Sequence, residues 1–305
     1  MRILVTGASG LLGLNLALET AREHQVFGTV NTHAIGNEAF DVIQNNLLVP
    51  GSVERLLDAT HPDWVINCAA LADLDACEAD PALARKSNTE LPAELATHVA
   101  RGGARLVHIS TDAVFDGQRG GYTEEDSPNP LGIYAQTKFQ AELAVAATNP
   151  EAIVARVNLF GWSLSGRRSL AEFFFNNLRD GNLVMGFTDI YFCPLLVNDI
   201  AGIFIKMLDK GLAGLYHVVS RDSMTKYDFG VTIARRFGLN AELIAPKSVL
   251  DSGLKAVRSP NLTLKVDKLI QALAEDLPTI STGIDGFYKL YQQNYPQFLQ
   301  GLGDS

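Results

Sequence analysis

One stretch near the start of the chain constrains the fold more than any other. Residues 2–13 read RILVTGASGLLG, which is an apolar run, then three glycines spaced three apart, then the start of an amphipathic segment. A strand that turns through glycines into a helix leaves backbone N–H groups at the helix N-terminus, where they attract anionic oxygens. The stretch therefore predicts a strand–turn–helix unit that binds the pyrophosphate of a dinucleotide.

The three glycines have separate predicted roles. Gly7 permits the tight turn, Gly10 allows the pyrophosphate to approach, and Gly13 lets helix and strand pack closely. Ser9, Leu11 and Leu12 complete the predicted phosphate-binding turn. A strand–helix turn of this kind can also be purely structural, without a ligand.

The first half of the chain alternates short β-branched runs with longer amphipathic stretches, a pattern typical of βαβ units and a parallel sheet. The predicted strands are Ile3–Val5, Val26–Val30, Phe40–Ile43, Trp64–Asn67, Leu106–Ser110 and Ile153–Arg156. The predicted helices between them are Leu11–Arg22, Val53–Ala59, Pro81–Arg101 and Tyr134–Ala147.

After Arg156 the alternation of strands and helices ends, and the rest of the chain is helix-rich and irregular. The fold class we expect is α/β, a Rossmann-like doubly wound parallel sheet with a smaller helix-rich substrate domain. The predicted division is a dinucleotide-binding domain over residues 1–160 and a substrate-binding part over 161–305. Within the latter, residues 195–222 are expected to return to the first domain.

Composition narrows the possible partners. The formal charge of −9 and the absence of a lysine or arginine run argue against nucleic-acid binding. No apolar run is long enough to cross a bilayer, and because a strand is predicted from the second residue onwards, we expect no targeting segment. Three cysteines, without metal-ligand spacing, favour a reduced, cytoplasmic and metal-free protein.

The ends of the second and fourth strands predict how the cofactor is held. An acid after the second strand would bind the ribose 2′-OH of NAD, but the chain has Asn31, Thr32 and His33 there. We therefore expect NADP, with NAD as the alternative. The small residues Cys68, Ala69 and Ala70 would let the cofactor ribose lie against the fourth strand. Asn88 in the following helix is also assigned to the cofactor site, where it would orient this turn; the alternative is a solvated polar residue.

Tyr134 and Lys138 lie one helical turn apart on one helix face. They follow a strand that ends in Ser110, Thr111 and Asp112, and open α/β sheets bind ligands at the carboxyl ends of their strands. A phenol next to an ammonium can deliver a proton to a carbonyl oxygen. Such a pair also arises by chance, and only this context favours chemistry.

These stretches resemble the extended short-chain dehydrogenase/reductase superfamily and, within it, the dTDP-4-dehydrorhamnose reductases. The matching stretches are TGASGLLG at 6–13, DWVINCAA at 63–70, STDAVFDG at 110–117, YTEED at 122–126 and YAQTK at 134–138. The resemblance implies that Thr111, Tyr134 and Lys138 form the catalytic trio, and that Asn46 and Leu47 flank the adenine. It also implies that Lys138 binds the nicotinamide ribose, and we expect its charge to lower the pKa of Tyr134.

The predicted substrate contacts come from one matched stretch and from the arginines. The matched stretch after the fifth strand contributes Asp112, Val114 and Phe115, and Ser110 is assigned to the cofactor. Guanidinium groups bind phosphates bidentately, so the candidates for a substrate diphosphate are Arg156, Arg167, Arg168 and Arg258. Arg258 is favoured because its surroundings resemble the family's late substrate loop.

Several departures put the substrate in question. Relatives carry Asp-Gln-x-Gly-x-Pro-Thr where residues 187–194 read FTDIYFCP, and Arg-x-x-Trp-Val-Tyr-Gly where residues 156–161 read RVNLFG. Related dehydratases use a Glu where this chain has Ala113.

The predicted function is reduction of a keto group on a nucleotide-linked deoxysugar, as in dTDP-rhamnose biosynthesis. The alternatives are a cofactor-binding regulatory subunit of a methionine adenosyltransferase complex, and a sugar-nucleotide epimerase or dehydratase. The oligomeric state stays open, with a homodimer as one candidate.

Overall fold

Strands and helices alternate along the computed structural model, which describes residues 1–32, 35–36, 39–251 and 259–303. The strands are β1 (Arg2–Thr6), β2 (Gln25–Val30), β3 (Asp41–Gln44), β4 (Trp64–Asn67), β5 (Arg105–Thr111), β6 (Ile153–Val157), β7 (Leu159–Phe160), β8 (Val184–Phe187), β9 (Tyr191–Phe192), β10 (Leu195–Leu196), β11 (Gly214–Val218), β12 (Met224–Thr225) and β13 (Ile244–Lys247). The helices are α1 (Leu11–Thr20), α2 (Ser52–Thr60), α3 (Leu74–Ala79), α4 (Pro81–Arg85), α5 (Leu91–Gly102), α6 (Ile133–Thr148), α7 (Leu170–Arg179), α8 (Val197–Asp209), α9 (Lys226–Phe237), α10 (Asp267–Leu273), α11 (Ile280–Gln292) and α12 (Tyr295–Gly301).

Seven parallel strands form the central sheet, in the order β11-β6-β5-β4-β1-β2-β3. The inner strands β4 and β6 are buried at every position, as expected for a parallel sheet covered on both faces. On one face Leu4 packs with Leu95 of α5, and on the other Ile3 packs with Leu14 of α1 and Phe204 of α8. The predicted fold class is confirmed.

The strand order reverses between β1 and β4, which opens a crevice at the carboxyl ends of these strands. The glycine turn after β1 and the small residues after β4 both lie at this crevice. The sheet therefore brings together two stretches that are about sixty residues apart in the chain.

The later part of the chain builds small sheets and an aromatic core. β8 pairs with β13, β9 with β12, and β7 with β10. Trp162 stacks on Phe287 at 3.9 Å between ring centroids and donates its indole N–H to the carbonyl of Phe287. β11 joins the central sheet beside β6, and α8 packs against α1. The division into two domains stays a prediction.

The predicted helix Pro81–Arg101 is interrupted. α4 ends at Arg85, a π-helical turn covers Lys86–Glu90, and α5 follows. Pro92 has no N–H to donate to the carbonyl four residues earlier, so a regular α-helix would lack a hydrogen bond here. The widened turn lies around Asn88, which is fully buried.

The described residues were compared with what a membrane span and a metal site require. Within the described ranges, no helix combines the length and apolar character that crossing a bilayer requires. The same ranges contain no group of three or more His, Cys, Asp or Glu side chains arranged to hold a metal ion.

Candidate active site

The glycine turn is closed so tightly that side chains cannot enter it. Gly7 has φ +68°, and a Cβ there would lie 3.0 Å from the backbone of Ala69. A Cβ on Gly13 would lie 2.3 Å from the carbonyl oxygen of Gly7. The N-cap of α1 is Gly10, which provides no side-chain cap to the first-turn N–H groups. The turn is therefore a backbone cradle of the kind that accepts a pyrophosphate.

A cavity of about 370 Å³ extends from the glycine turn across the ends of β2 and β4. The predicted cofactor contacts that line it are Gly7, Ser9, Gly10, Asn31, Asn46, Leu47, Cys68, Ala69 and Ala70. Thr32 lines it too, whereas His33 lies outside the described residues. We call this cavity the adenine half of the groove.

A second cavity of about 400 Å³ continues from the same turn towards β5 and α6. The predicted residues that line it are Gly10, Leu11, Leu12, Gly13, Ser110, Thr111, Asp112, Tyr134 and Lys138. The two cavities share Gly10, Cys68, Ala70 and Arg168. They therefore form one groove, and we call the second cavity its nicotinamide half.

Tyr134 lies in the first turn of α6, after the N-cap Gly132. Burial raises the pKa of Tyr134 to about 12, while a hydrogen bond with Thr111 lowers it by less. The phenol is therefore protonated at neutral pH, which is the state that a proton donor needs.

Lys138 is 3% exposed, and its Nζ donates to the carbonyl oxygen of Ile109 at 2.5 Å. Burial lowers the pKa of Lys138 to about 8, against the opposing effect of Glu142. The pKa of Tyr134 is raised by burial, whereas we expected the charge of Lys138 to lower it. The ammonium is bound to the β5 backbone, and burial dominates the pKa of the phenol.

Thr111 is held by a short polar chain at the end of β5. Its hydroxyl donates to Asp112 Oδ1 at 3.1 Å and accepts from the N–H of Ala113 at 3.1 Å. Asn158 donates to Asp112 Oδ2 at 2.5 Å. Burial raises the pKa of Asp112, against the lowering effect of these hydrogen bonds. Sequence reasoning missed Asn158, although it directly follows β6 at the ligand-binding edge of the sheet.

A third cavity of about 500 Å³ adjoins the nicotinamide half and shares Asp112, Tyr134, Asn158 and Leu159 with it. We call it the substrate cavity. Its lining is mostly apolar, and its charged members among the described residues are Asp75, Glu78, Asp112 and Lys226. A carbonyl group placed in this cavity would have access to Tyr134.

The structure corrects three predicted substrate contacts. Arg156 is 2% exposed and forms a bidentate ion pair with Glu142, at 2.9 and 2.7 Å, so its guanidinium cannot bind a substrate. Val114 and Phe115 are buried, the latter stacked on Tyr122 at 4.1 Å. The side chains of both are therefore unavailable to a ligand.

The other arginine candidates differ in their surroundings. Arg258 lies outside the described residues. Arg167 is exposed and lines none of the three cavities. Arg168 lines both halves of the groove but not the substrate cavity.

Two further residues position the site without lining the groove. Asn88 accepts from the N–H of Leu71 at 2.8 Å and donates to its carbonyl at 2.9 Å, so it orients the turn after β4 and is not a direct cofactor contact. Glu142 accepts from Ser110 Oγ at 2.5 Å as well as from Arg156, which anchors α6 to β5 and β6. Its position, one turn beyond Lys138 on the same helix face, is the sequence signal that was overlooked.

Comparison with known proteins identifies the family. The profile of the RmlD substrate binding domain family matches residues 1–293. This chain belongs to that family. The resemblance to extended short-chain dehydrogenases/reductases is thereby confirmed.

Relatives of different kinds are similarly close. The "Probable low-salt glycan biosynthesis reductase Agl14" of Haloferax volcanii is 34% identical over 92% of this chain and 95% of that protein. "Methionine adenosyltransferase 2 subunit beta" of Rattus norvegicus is 33% identical over 88% and 81%. The dTDP-4-dehydrorhamnose reductase of Mycobacterium tuberculosis is 32% identical over 85% and 83%.

A solved structure supports the fold. The dTDP-4-dehydrorhamnose reductase of Bacillus anthracis, solved in complex with NADP, superposes with a TM-score of 0.83 at 23% identity. The match covers 94% of this chain and 98% of that one.

Proposed function

We propose that this chain is an NADPH-dependent reductase of a keto group on a nucleotide-linked deoxysugar, with Tyr134 as the proton donor. The single observation that carries the proposal is the position of Tyr134, which lines both the nicotinamide half of the groove and the substrate cavity. The reductases among the relatives support the reaction class.

The residues present fit a dinucleotide. A Cβ on Gly7 or Gly13 would clash with the backbone of Ala69 or of Gly7, so only glycines permit this close turn, whose bare N–H groups suit an anionic group. Asn31 and Thr32 bring no carboxylate to the adenine half, which favours a 2′-phosphate over a free 2′-OH. The Bacillus anthracis reductase was solved with NADP, in keeping with this preference. The bound cofactor would supply the hydride.

The chain's own residues handle the proton. Tyr134 gives its proton to the carbonyl oxygen, and Thr111 stabilises that oxygen by a hydrogen bond. Lys138, charged below about pH 8, provides a positive charge near the phenolate that remains. In the structure the Thr111 hydroxyl donates to Asp112, which Asn158 holds in place, so this hydroxyl has to rotate away from Asp112 to donate to the carbonyl oxygen. Lys226 is the cation that we assign to the substrate phosphates, and a role for Arg258 stays a prediction.

A second candidate is a regulatory subunit that binds the cofactor without turnover. It is favoured by the 33% identity with the rat methionine adenosyltransferase subunit. Fold and family do not decide between these functions. The cytoplasmic location and the homodimer also stay predictions.

The deciding experiment follows NADPH absorbance with the purified protein and dTDP-4-keto-6-deoxysugars, with NADH in parallel. A reductase consumes NADPH in proportion to the sugar reduced. A regulatory subunit consumes none and co-purifies with a catalytic methionine adenosyltransferase. An epimerase or dehydratase gives a new sugar product without net oxidation of the cofactor.

A further inference from the structure

Arg168 occupies an unusual place in the groove. Of the residues shared by the adenine and nicotinamide halves, Gly10, Cys68 and Ala70 are uncharged, and Arg168 carries a full positive charge. The other three come from the strand ends of the first half of the chain, whereas Arg168 reaches the groove from the loop before α7. A cation therefore lies where the two halves of a dinucleotide would meet.

The loop that carries Arg168 is held by one buried carboxylate. Glu172 is fully buried and accepts hydrogen bonds from the N–H groups of Ser163 at 2.6 Å, Arg168 at 2.8 Å and Ser169 at 3.0 Å. Ser169 in turn caps α7 through its hydroxyl. The backbone at Arg168 is thus fixed, while its side chain is exposed at the groove.

Among the described residues, the guanidinium of Arg168 forms no ion pair with an acidic side chain. The ion pairs among these residues involve other arginines and lysines. Arg156 shows the opposite arrangement, since both edges of its guanidinium are occupied inside the protein. In a chain of net charge −9, a cation left open at the groove favours an anionic ligand.

We propose that Arg168 binds the diphosphate of the dinucleotide at the junction of the two halves, together with the glycine turn. This inference rests on the proposed cofactor binding. A guanidinium matches two phosphate oxygens at once and brings a positive charge, which the uncharged side chains of the glycine turn do not provide. The substrate diphosphate is a different ligand, because Arg168 does not line the substrate cavity.

The test measures dissociation constants for NADPH, NADH and ADP-ribose, which all contain the diphosphate, in the full-length protein. We expect Arg168→Ala to weaken binding of all three by about 10- to 100-fold, the usual effect of losing charge-assisted hydrogen bonds. Arg168→Lys should recover part of the loss through its point charge. Arg167→Ala, an exposed neighbour outside the three cavities, should bind all three like the wild type.

Three results would overturn the proposal. In the first, Arg168→Ala binds all three ligands like the wild type. In the second, the loss is confined to NADPH, which would assign Arg168 to the 2′-phosphate. In the third, a parallel titration with dTDP, which carries a diphosphate of the kind expected in the substrate, shows the only loss, which would assign Arg168 to the substrate. A wild-type protein that binds none of the three ligands would instead refute the proposed cofactor binding, and this inference with it. Equal melting temperatures of the variants exclude misfolding as the cause.

Discussion

The cofactor groove and the substrate cavity are built in different ways. The groove is formed mainly by short, continuous stretches at the ends of the sheet strands, among them the glycine turn with its bare N–H groups, and is completed by Tyr134 and Lys138 of α6 and by Arg168. The substrate cavity draws on side chains from α3, α6, α7 and α9 and from the strands β9 and β7. A site made by backbone turns leaves a local signature in the sequence, and a site made by distant side chains does not.

Replacing Tyr134 by Phe should have the largest effect, because it removes the proton donor where groove and cavity meet. We expect kcat to fall by about 10²- to 10⁴-fold, the usual contribution of general acid catalysis, with little change in the dissociation constant of NADPH. Steady-state kinetics and calorimetry measure the two quantities. Tyr191→Phe, which alters another tyrosine of the substrate cavity, should keep most of its turnover. Parallel losses of turnover and cofactor affinity would refute the assigned role of Tyr134.

Replacing Arg156 by Ala tests whether this residue is structural. Removing one partner of a buried ion pair leaves Glu142 unpaired, so the free energy of unfolding should drop by about 3–5 kcal/mol. Arg119→Ala, which breaks a pair with Asp126 at the protein surface, should change the free energy of unfolding far less, because solvent-screened ion pairs contribute little to stability. Denaturant titration measures both. A stable Arg156 variant with only a raised KM would restore the substrate role that the structure contradicts.

Replacing Gly13 by Ala tests the backbone cradle. The new Cβ would lie 2.3 Å from the carbonyl oxygen of Gly7, so the turn must shift. We expect about 1–3 kcal/mol of destabilisation, as for overpacked sites, together with weaker NADPH binding.

Gly202→Ala in α8 is the matched control, since its Cβ would have nothing within 4 Å. It should be neutral or raise stability by up to about 1 kcal/mol, because alanine is the better helix former. A Gly13 variant as stable and as tightly bound to NADPH as the wild type would show that the turn has no need of glycine there.

The smallest expected effect is that of pH on reduction. Lys138 has a pKa lowered to about 8, so it is charged below that pH and loses its proton as the pH rises. The reduction rate should therefore decline above about pH 8, by at most about tenfold for each pH unit. The Lys138→Met variant should reduce its substrate more slowly at every pH, and its rate should no longer decline above about pH 8. An unchanged decline in the variant would assign it to another group.

Whether a residue's role could be predicted from the sequence depends on whether its site is formed by a local stretch or by distant side chains. The glycine turn, the ends of β2 and β4, and the Tyr134–Lys138 spacing are local patterns, and the structure brings them to one groove. Arg156 was misassigned because a sequence does not reveal that Glu142, on another element, neutralises it. The helix break near Pro92 was missed because periodicity alone does not register a missing N–H.

The substrate cavity shows the limit most clearly. Lys226 and Leu74 line it although they are about 150 residues apart, and neither is part of a recognisable motif. Their common position depends on how α9 and α3 pack around the sheet. Only the three-dimensional structure supplies that information.

The most direct test of the central claim is a crystal structure of the protein with NADPH bound. We expect the diphosphate at the glycine turn and the nicotinamide ring beside Thr111 and Tyr134, with its ribose next to Lys138. A ring directed out of the groove, beyond reach of the Tyr134 hydroxyl, would contradict the account.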